Sequence, residues 1–313
     1  MTPQGPTGRA LVVGEALVDV VEHPDGRRAE HPGGSPANVA LGLARLDRRV
    51  DLLTWLGPDA YGDLVRAHLT GSGVHVLTGD RTPVSTAVAT AHLDADGVAT
   101  YDFDLSWDLP GTWDEDDDDP LVVHTGSIGA VLTPGSDAVA RLVERRQATS
   151  TITYDPNLRP ALMGSPEQSL PYVTRLVGLA DVVKVSDEDL AWLHPGVAPA
   201  EIAEEWVQRG PALVVVTHGG DGALAVTHAG ARLTVPAPRV QVADTVGAGD
   251  SFMSGLIDGL WSADLLGAGR RDALRAVDTA TVERVLARCA RIAAITVSRA
   301  GANPPRTAEL AGA

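Results

Sequence analysis

The sequence predicts an α/β protein: a single domain over 1–313 with a doubly wound, mostly parallel sheet flanked by helices, and a small β-sheet lid drawn from about 16–32 and 84–106. Three observations predict it. Short apolar runs alternate with stretches of helical spacing along most of the chain, as in repeated βαβ units. One hairpin between Thr86 and Phe103 interrupts that alternation. Two glycine-led turns, GGSPAN and DTVGAGD, each open an apolar helix, and open α/β sheets bind ligands at such turns.

The first strand is ALVV, Ala10 to Val13, ended by Gly14. GEALVDV follows and puts Asp19 just beyond the strand, as a candidate for substrate hydroxyls or as a solvated edge charge. In GGSPANVALGLARL, Ser35 is an expected N-cap and Pro36 fits the first helical position. Gly33 and Gly34 allow close backbone approach to a ligand, and Asn38, one turn in, offers a polyol both a donor and an acceptor. His31 reads as a surface residue. Val50–Leu56 is a strand, Ala60–Leu69 a helix and Val74–Leu77 another strand.

Thr86–His92 and Val98–Phe103 are β-prone runs joined around Asp94–Gly97, an Asp-Gly turn signal. With Val18–Val21 as a companion strand they form the expected lid, which would exclude water from a reactive phosphate. The acidic run from Asp114 to Asp119 reads as a solvated loop, without the spacing of a metal site. Strands Leu121–His124 and Thr151–Tyr154 flank a helix over Ala138–Arg146.

DPNLRP then places Asp155, Asn157 and Arg159 on the ligand-bearing edge, with Arg159 able to offer charge to phosphate or substrate, unless the turn is only a loop breaker. The strand Asp181–Val185 carries Lys184, and Ser186 starts a helix. Asp189 in that helix suits either its N-terminus or water around Mg²⁺. After the strand Leu213–Val216, the loop Thr217, Gly219, Gly220, Gly222 can pass close to nucleotide phosphates. A hairpin over Ala223–Val235 leads to the central turn, and helices over Phe252–Leu260, Asp272–Val277 and Thr281–Thr296 close the chain.

In DTVGAGDSF the amides of Gly247, Ala248 and Gly249 point at one spot, where the helix dipole adds positive charge. Asp250 at the same end would sit badly beside a resting anion unless it takes a proton; the plainer alternative is a capping aspartate. Amide cradle and carboxylate together suit phosphoryl transfer to an alcohol.

Composition narrows the classes. A net charge of −16 argues against nucleic acid and anionic membranes as partners. The one cysteine, Cys289, excludes an intrachain disulfide and reads as a core residue, so a reducing, cytoplasmic setting is expected. Lys184 is the only lysine and is followed by Val185, so a Walker A loop is absent, as is the GxGxxG dinucleotide fingerprint.

Taken together, GEALVD, GGSPANVALGLARL, DPNLRP, KVSDEDL, VVVTHGGDGA and DTVGAGDSF resemble, in order and nearly end to end, the ribokinase-like (PfkB-type) carbohydrate kinases. The resemblance implies an ATP-dependent, Mg²⁺-requiring kinase of ribokinase-like fold acting on a small sugar. By motif position it makes Asp250 the base and Gly247–Gly249 the anion hole, and puts Asp19, Gly33, Gly34 and Asn38 at the sugar. It sets Thr217, Gly219, Gly220 and Gly222 along the nucleotide, Asn303 near the adenine and Lys184 near the phosphates. Asp244 and Val246 match positions that hold a monovalent cation, K⁺, in some members. One departure stands out: the family's Asn-x-x-Glu element is here Ser186 and Asp189, which puts the metal contact in question.

The motifs look most like fructokinases, with 2-keto-3-deoxygluconate kinases, ribokinases and nucleoside kinases as alternatives, and a catalytically silent sugar or nucleotide sensor as the non-enzymatic one. A lid edge open to pairing makes a homodimer an option.

Overall fold

The computed structural model describes residues 8–94, 99–111 and 119–310. The chain begins with β1 (Ala10–Val13) and leaves its plane at Gly14 to form β2 (Leu17–Glu22) and β3 (Arg28–Gly33). Helix α1 (Ser35–Arg45) leads to β4 (Val50–Leu53), and α2 (Ala60–Thr70) to β5 (His75–Leu77). The predicted hairpin follows as β6 (Val88–Leu93) and β7 (Ala99–Asp104). Most of its expected Asp94–Gly97 turn lies outside the described residues, as does 114–118 of the acidic run; Asp119 pairs with Arg146.

The chain continues through β8 (Val122–Gly126), α3 (Gly135–Arg146), β9 (Thr151–Asp155), α4 (Pro160–Met163), α5 (Pro166–Leu179) and β10 (Val182–Ser186). Then come α6 (Asp187–Leu193), α7 (Pro199–Val207), β11 (Leu213–Thr217), β12 (Ala223–Thr227) and β13 (Arg232–Val235). Helices α8 (Ala248–Ser262), α9 (Arg271–Arg275), α10 (Thr279–Val297) and α11 (Thr307–Leu310) complete it.

Nine strands make the main sheet in the order β13-β12-β11-β10-β9-β8-β1-β4-β5. From β5 to β11 every pairing is parallel, and the β11–β12 and β12–β13 pairings are antiparallel. Alternation along each strand sorts side chains to two faces: Ala10 and Val12 pack with residues of α1, α8 and α10, while Leu11 and Val13 pack with α3, α5 and α7. Strand β1 lies between β4 and β8, so the order of strands turns about it. A crevice opens at the carboxyl ends of strands at such a point.

The second sheet has four strands, ordered β3-β2-β6-β7. Val18 and Val20 of β2 join the same apolar cluster as Val65 of α2, which fixes one face of the small sheet to the main body. The opposite face carries Asp19, Ala89 and Phe103 toward the crevice.

Several expectations need revision. Gly34, at φ 100°, holds the cap position of α1, so Ser35 is the first helical residue and not its N-cap. The second main-sheet strand stops at Leu53, and the helix expected over Asp272–Val277 is Arg271–Arg275. Strand β3 has no apolar alternation to announce it; its pairing with β2 makes it a strand. Helices α5 and α7 have no counterpart in the sequence reading. In α5, Pro171 inside the helix breaks the usual pattern, although Ser165 and Gln168 form a capping box at its start. Cys289 is fully buried, as expected. Among the described residues no helix is long and apolar enough to cross a membrane.

Candidate active site

A cavity of about 670 Å³ lies at the carboxyl edge of the main sheet, beneath the small one. Its wall takes Glu15 from beyond β1, Ser127 from beyond β8, Asn157 from beyond β9 and Thr217 from the end of β11. The start of α8 closes one side.

Helix α8 begins after Gly247, whose φ of 75° is left-handed; a Cβ there would stand 2.6 Å from Ala302 Cβ. Only glycine enters this turn without strain. The first i→i−4 bond of α8 runs from Ser251 N to Gly247 O at 2.9 Å, so the amides of Gly249 and Asp250 precede the helical ladder. Ala248 N is committed to Thr245 O at 3.3 Å, a long bond. Gly249 and Asp250 both line the cavity, and amides ahead of the ladder at a helix N-terminus favour an anion.

Asp250 is 8% exposed, and both its oxygens are engaged by α1. Ser35 Oγ donates to Oδ1 at 2.6 Å and Asn38 Nδ2 donates to Oδ2 at 2.8 Å. The sequence reading singled out Asn38 but not Ser35. By local spacing its hydroxyl suits a helix cap, a position where serine is common.

Asp19 reaches the cavity from β2, opposite exposed His31 in register. Burial raises its carboxyl above the ordinary range and nearby Asp250 adds to this, while Arg159 and His31 oppose it. A Cβ on Gly33 would fall 2.1 Å from Asp19 Oδ2, so the glycine makes room for the carboxylate. At Gly34 a Cβ would strike Glu15 O at 2.5 Å. These glycines bring the end of the small sheet against the loop after β1.

Glu15 is a second residue the sequence reading left without a role. Its Oε2 accepts from Gly129 N at 2.9 Å, and burial pushes its pKa up to about 7. It lies between the small sheet and the main one, 4% exposed.

On β10, Lys184 Nζ donates to Asp155 Oδ2 at 2.8 Å. A Cβ on Gly249 would lie 2.9 Å from that Nζ, so the ammonium stands against the start of α8. Ser186 caps α6 by accepting from Asp189 N at 3.0 Å, and Asp189 Oδ1 accepts from Leu158 N at 3.0 Å. Asp189 therefore ties α6 to the DPNLR loop. Arg159 is exposed and lines the cavity, and its Nη1 donates to Asn157 Oδ1 at 2.8 Å and to Leu158 O at 2.9 Å.

The residues expected along a nucleotide are only partly gathered. Thr217 and Gly219 line the cavity; Gly220 is exposed beside them, and a Cβ on either glycine would meet nothing. Gly222, at φ 109°, is needed for packing, since a Cβ would stand 2.0 Å from Val235 O. Asn303 does not reach the cavity wall; its Oδ1 accepts from Arg45 Nη1. Asp244 accepts from Val246 N at 3.0 Å and Gly301 N at 2.8 Å, bracing the turn before α8, with Val246 itself 52% exposed.

Comparison with known proteins agrees with this geometry. The pattern described as "pfkB family carbohydrate kinase" matches residues 8–309. A fructokinase of Rhizobium leguminosarum bv. trifolii is 33% identical over 269 residues, covering 82% of this chain and 81% of the relative. The structure is similar to that of a fructokinase with bound ATP from Xylella fastidiosa, with a TM-score of 0.83, 27% identity and 97% of each chain covered. It is also similar to a fructokinase double mutant from Vibrio cholerae O395 in a fructose-, ADP- and potassium-bound form, with a TM-score of 0.79, 26% identity and 98% of each chain covered. Fold, cavity and motif order thus lead to one conclusion: this chain is a ribokinase-like sugar kinase and belongs to the pfkB family of carbohydrate kinases.

Proposed function

We propose that the protein transfers the γ-phosphoryl group of ATP to a primary hydroxyl of a small sugar, fructose to fructose 6-phosphate. The observation that carries the reading is the start of α8, where free amides, Lys184 Nζ and the Asp250 carboxylate share one cavity. The amides of Gly249 and Asp250 and the lysine would meet charge on the phosphoryl group as it transfers. Gly247 gives the turn its shape, and Ala248 contributes little beyond it.

Asp250 takes the hydroxyl proton as the oxygen attacks, when that proton becomes acidic. Its orientation by Ser35 and Asn38 prepares that step. Asp19, with Gly33, Gly34 and Asn38 around it, holds the sugar hydroxyls, and the small sheet closes as a lid that excludes water. Thr217, Gly219 and Gly220 run beside the nucleotide, with Gly222 shaping their loop and Asn303 outside it.

The cavity wall holds six carboxylates, Glu15, Asp19, Asp187, Glu188, Asp189 and Asp250, against Lys184 and Arg159. A triphosphate needs added positive charge there. No group of three metal-ligating side chains occurs among the described residues, which suits Mg²⁺ held by phosphates and water with Asp189 as an outer partner. Bound there, Mg²⁺ would neutralise charge on the phosphates. Asp244 and Val246 are the proposed place of a potassium ion, a reading supported by the potassium-bound Vibrio relative.

A second reading rests on Arg159, whose guanidinium borders the cavity and suits a sugar acid such as 2-keto-3-deoxygluconate. ADP release from Mg-ATP, measured with fructose, ribose, 2-keto-3-deoxygluconate, tagatose and nucleosides, with and without K⁺, separates them. Fructose as the best substrate supports the main reading and a sugar acid the second. ATP binding without turnover on any of them would favour a sensor.

A further inference from the structure

The Asp155–Lys184 pair is buried to a degree unusual for charges, with side chains 1% and 4% exposed. Asp155 Oδ2 accepts from Nζ, while Oδ1 lies buried with no partner. Burying a carboxylate with one oxygen unsatisfied is costly, and a buried pair of this kind adds little net stability. Its position explains it better than stability does. Strand β9 supplies the acid, the adjacent β10 the ammonium, and the ammonium abuts Gly249 at the start of α8.

We propose that Asp155 is a positioning residue for phosphoryl transfer: it fixes the Lys184 ammonium against Gly249, so that the amide cradle of α8 carries a full positive charge. The proposal rests on the phosphoryl-transfer reading given above. Three carboxylates surround the ammonium, Asp155 on β9, Asp189 on α6 and Asp250 on α8, and all favour its charged form. Two of them have other partners: Asp189 accepts from Leu158 N, and Asp250 from Ser35 and Asn38. Asp155 alone among them makes the contact with Nζ.

Burial by itself would push Lys184 toward neutrality, yet with these carboxylates its pKa is raised. His124 on β8 also faces the pair; burial, and then Lys184, bring its pKa down to about 3, so it stays neutral. Burial raises the pKa of Asp155, and the charge and hydrogen bond of Lys184 pull it back. An asparagine at 155 keeps the shape and an oxygen for Nζ but removes the countercharge.

Because Lys184 is the only lysine, protein grown on [ε-¹³C]lysine gives one side-chain resonance that reports its protonation. The experiment titrates that resonance from pH 7 to 11 in wild-type and Asp155→Asn full-length protein, and measures turnover on the best sugar at each pH that both tolerate. In Asp155→Asn the lysine is expected to titrate about one to three pH units lower. Turnover should fall about ten- to a hundredfold, and further as pH rises, with the KM for sugar within about twofold. In a Lys184→Met background, adding Asp155→Asn should cost no more turnover, because Asp155 acts through the lysine; that neutral pair also serves if the single variant folds poorly.

An unshifted lysine with an unchanged rate, or a further loss in the double variant, would overturn the proposal while wild-type turnover upholds the reaction. Absence of turnover in the wild type on every sugar would overturn the phosphoryl-transfer reading, and the catalytic role of Asp155 with it.

Discussion

Ser35 Oγ donates to Asp250 Oδ1 at 2.6 Å, across 215 positions of sequence. The bond joins the first residue of α1 to the first turn of α8, and α1 itself follows the last residue of β3, in the small sheet, after one glycine. The candidate base is therefore oriented by the segment that leaves the small sheet.

Replacing Asp250 by Asn tests the base directly. Turnover should fall by about two to four orders of magnitude, the usual span of a general base, while ATP binding and thermal stability stay near wild type. Wild-type turnover in the variant would remove Asp250 from that role.

Ser35→Ala removes one donor from the carboxylate and leaves Asn38 in place. A hydrogen bond to a charged group contributes about 1.5–3 kcal/mol, so a kcat lower by about ten- to a hundredfold is expected, with the KM for ATP unchanged. Steady-state kinetics in both substrates checks it; an unchanged kcat would mean that Asn38 alone suffices.

Two glycine variants should separate shape from chemistry. Gly247→Ala forces a left-handed residue into contact with Ala302 and should lower stability by about 1–3 kcal/mol in denaturant unfolding. At Gly249 the added methyl meets no backbone, only Lys184 Nζ at 2.9 Å, so stability should fall less than at Gly247. Turnover should fall about tenfold or more as the ammonium is displaced. The reverse pattern would place the strain of the turn at the other glycine.

Glu15 gives a pH-dependent prediction. Its folded pKa, about 7, lies above the ordinary 4.5, so the folded state favours the protonated acid. The stability linked to that proton is fully present below about pH 4.5 and is lost as pH rises through 7. Glu15→Gln mimics the protonated form. It should match wild type near pH 5 and exceed it at pH 8 by about 1–3 kcal/mol, read by urea unfolding at both values. No gain at pH 8 would mean that Glu15 ionises in the folded protein at little cost.

Much of the architecture was legible because its signals are local. Apolar runs marked the central strands, and the glycine turn before Asp250 announced a helix start. What escaped depends on partners distant in the chain. Ser35 carries the local signature of a cap, and only the approach of α8 shows what its hydroxyl touches. Asp155 and Lys184 each stood out alone, but their pairing follows from β9 lying beside β10, which spacing does not disclose. Asn303 shows the opposite case: its place in the motif suggested the nucleotide, and the fold engages it with Arg45. Strand β3 is made by its neighbour, not by its own residues.

The solitary lysine also decides how the molecule meets reagents. Aldehyde fixatives and activated esters attack accessible side-chain amines, and this chain's one such amine is enclosed between two strands and a helix. Its outer cationic surface is built from guanidinium groups, which these reagents largely ignore. Amine crosslinking would therefore find no accessible side-chain amine through which to join subunits, and their number is better read from mass in solution.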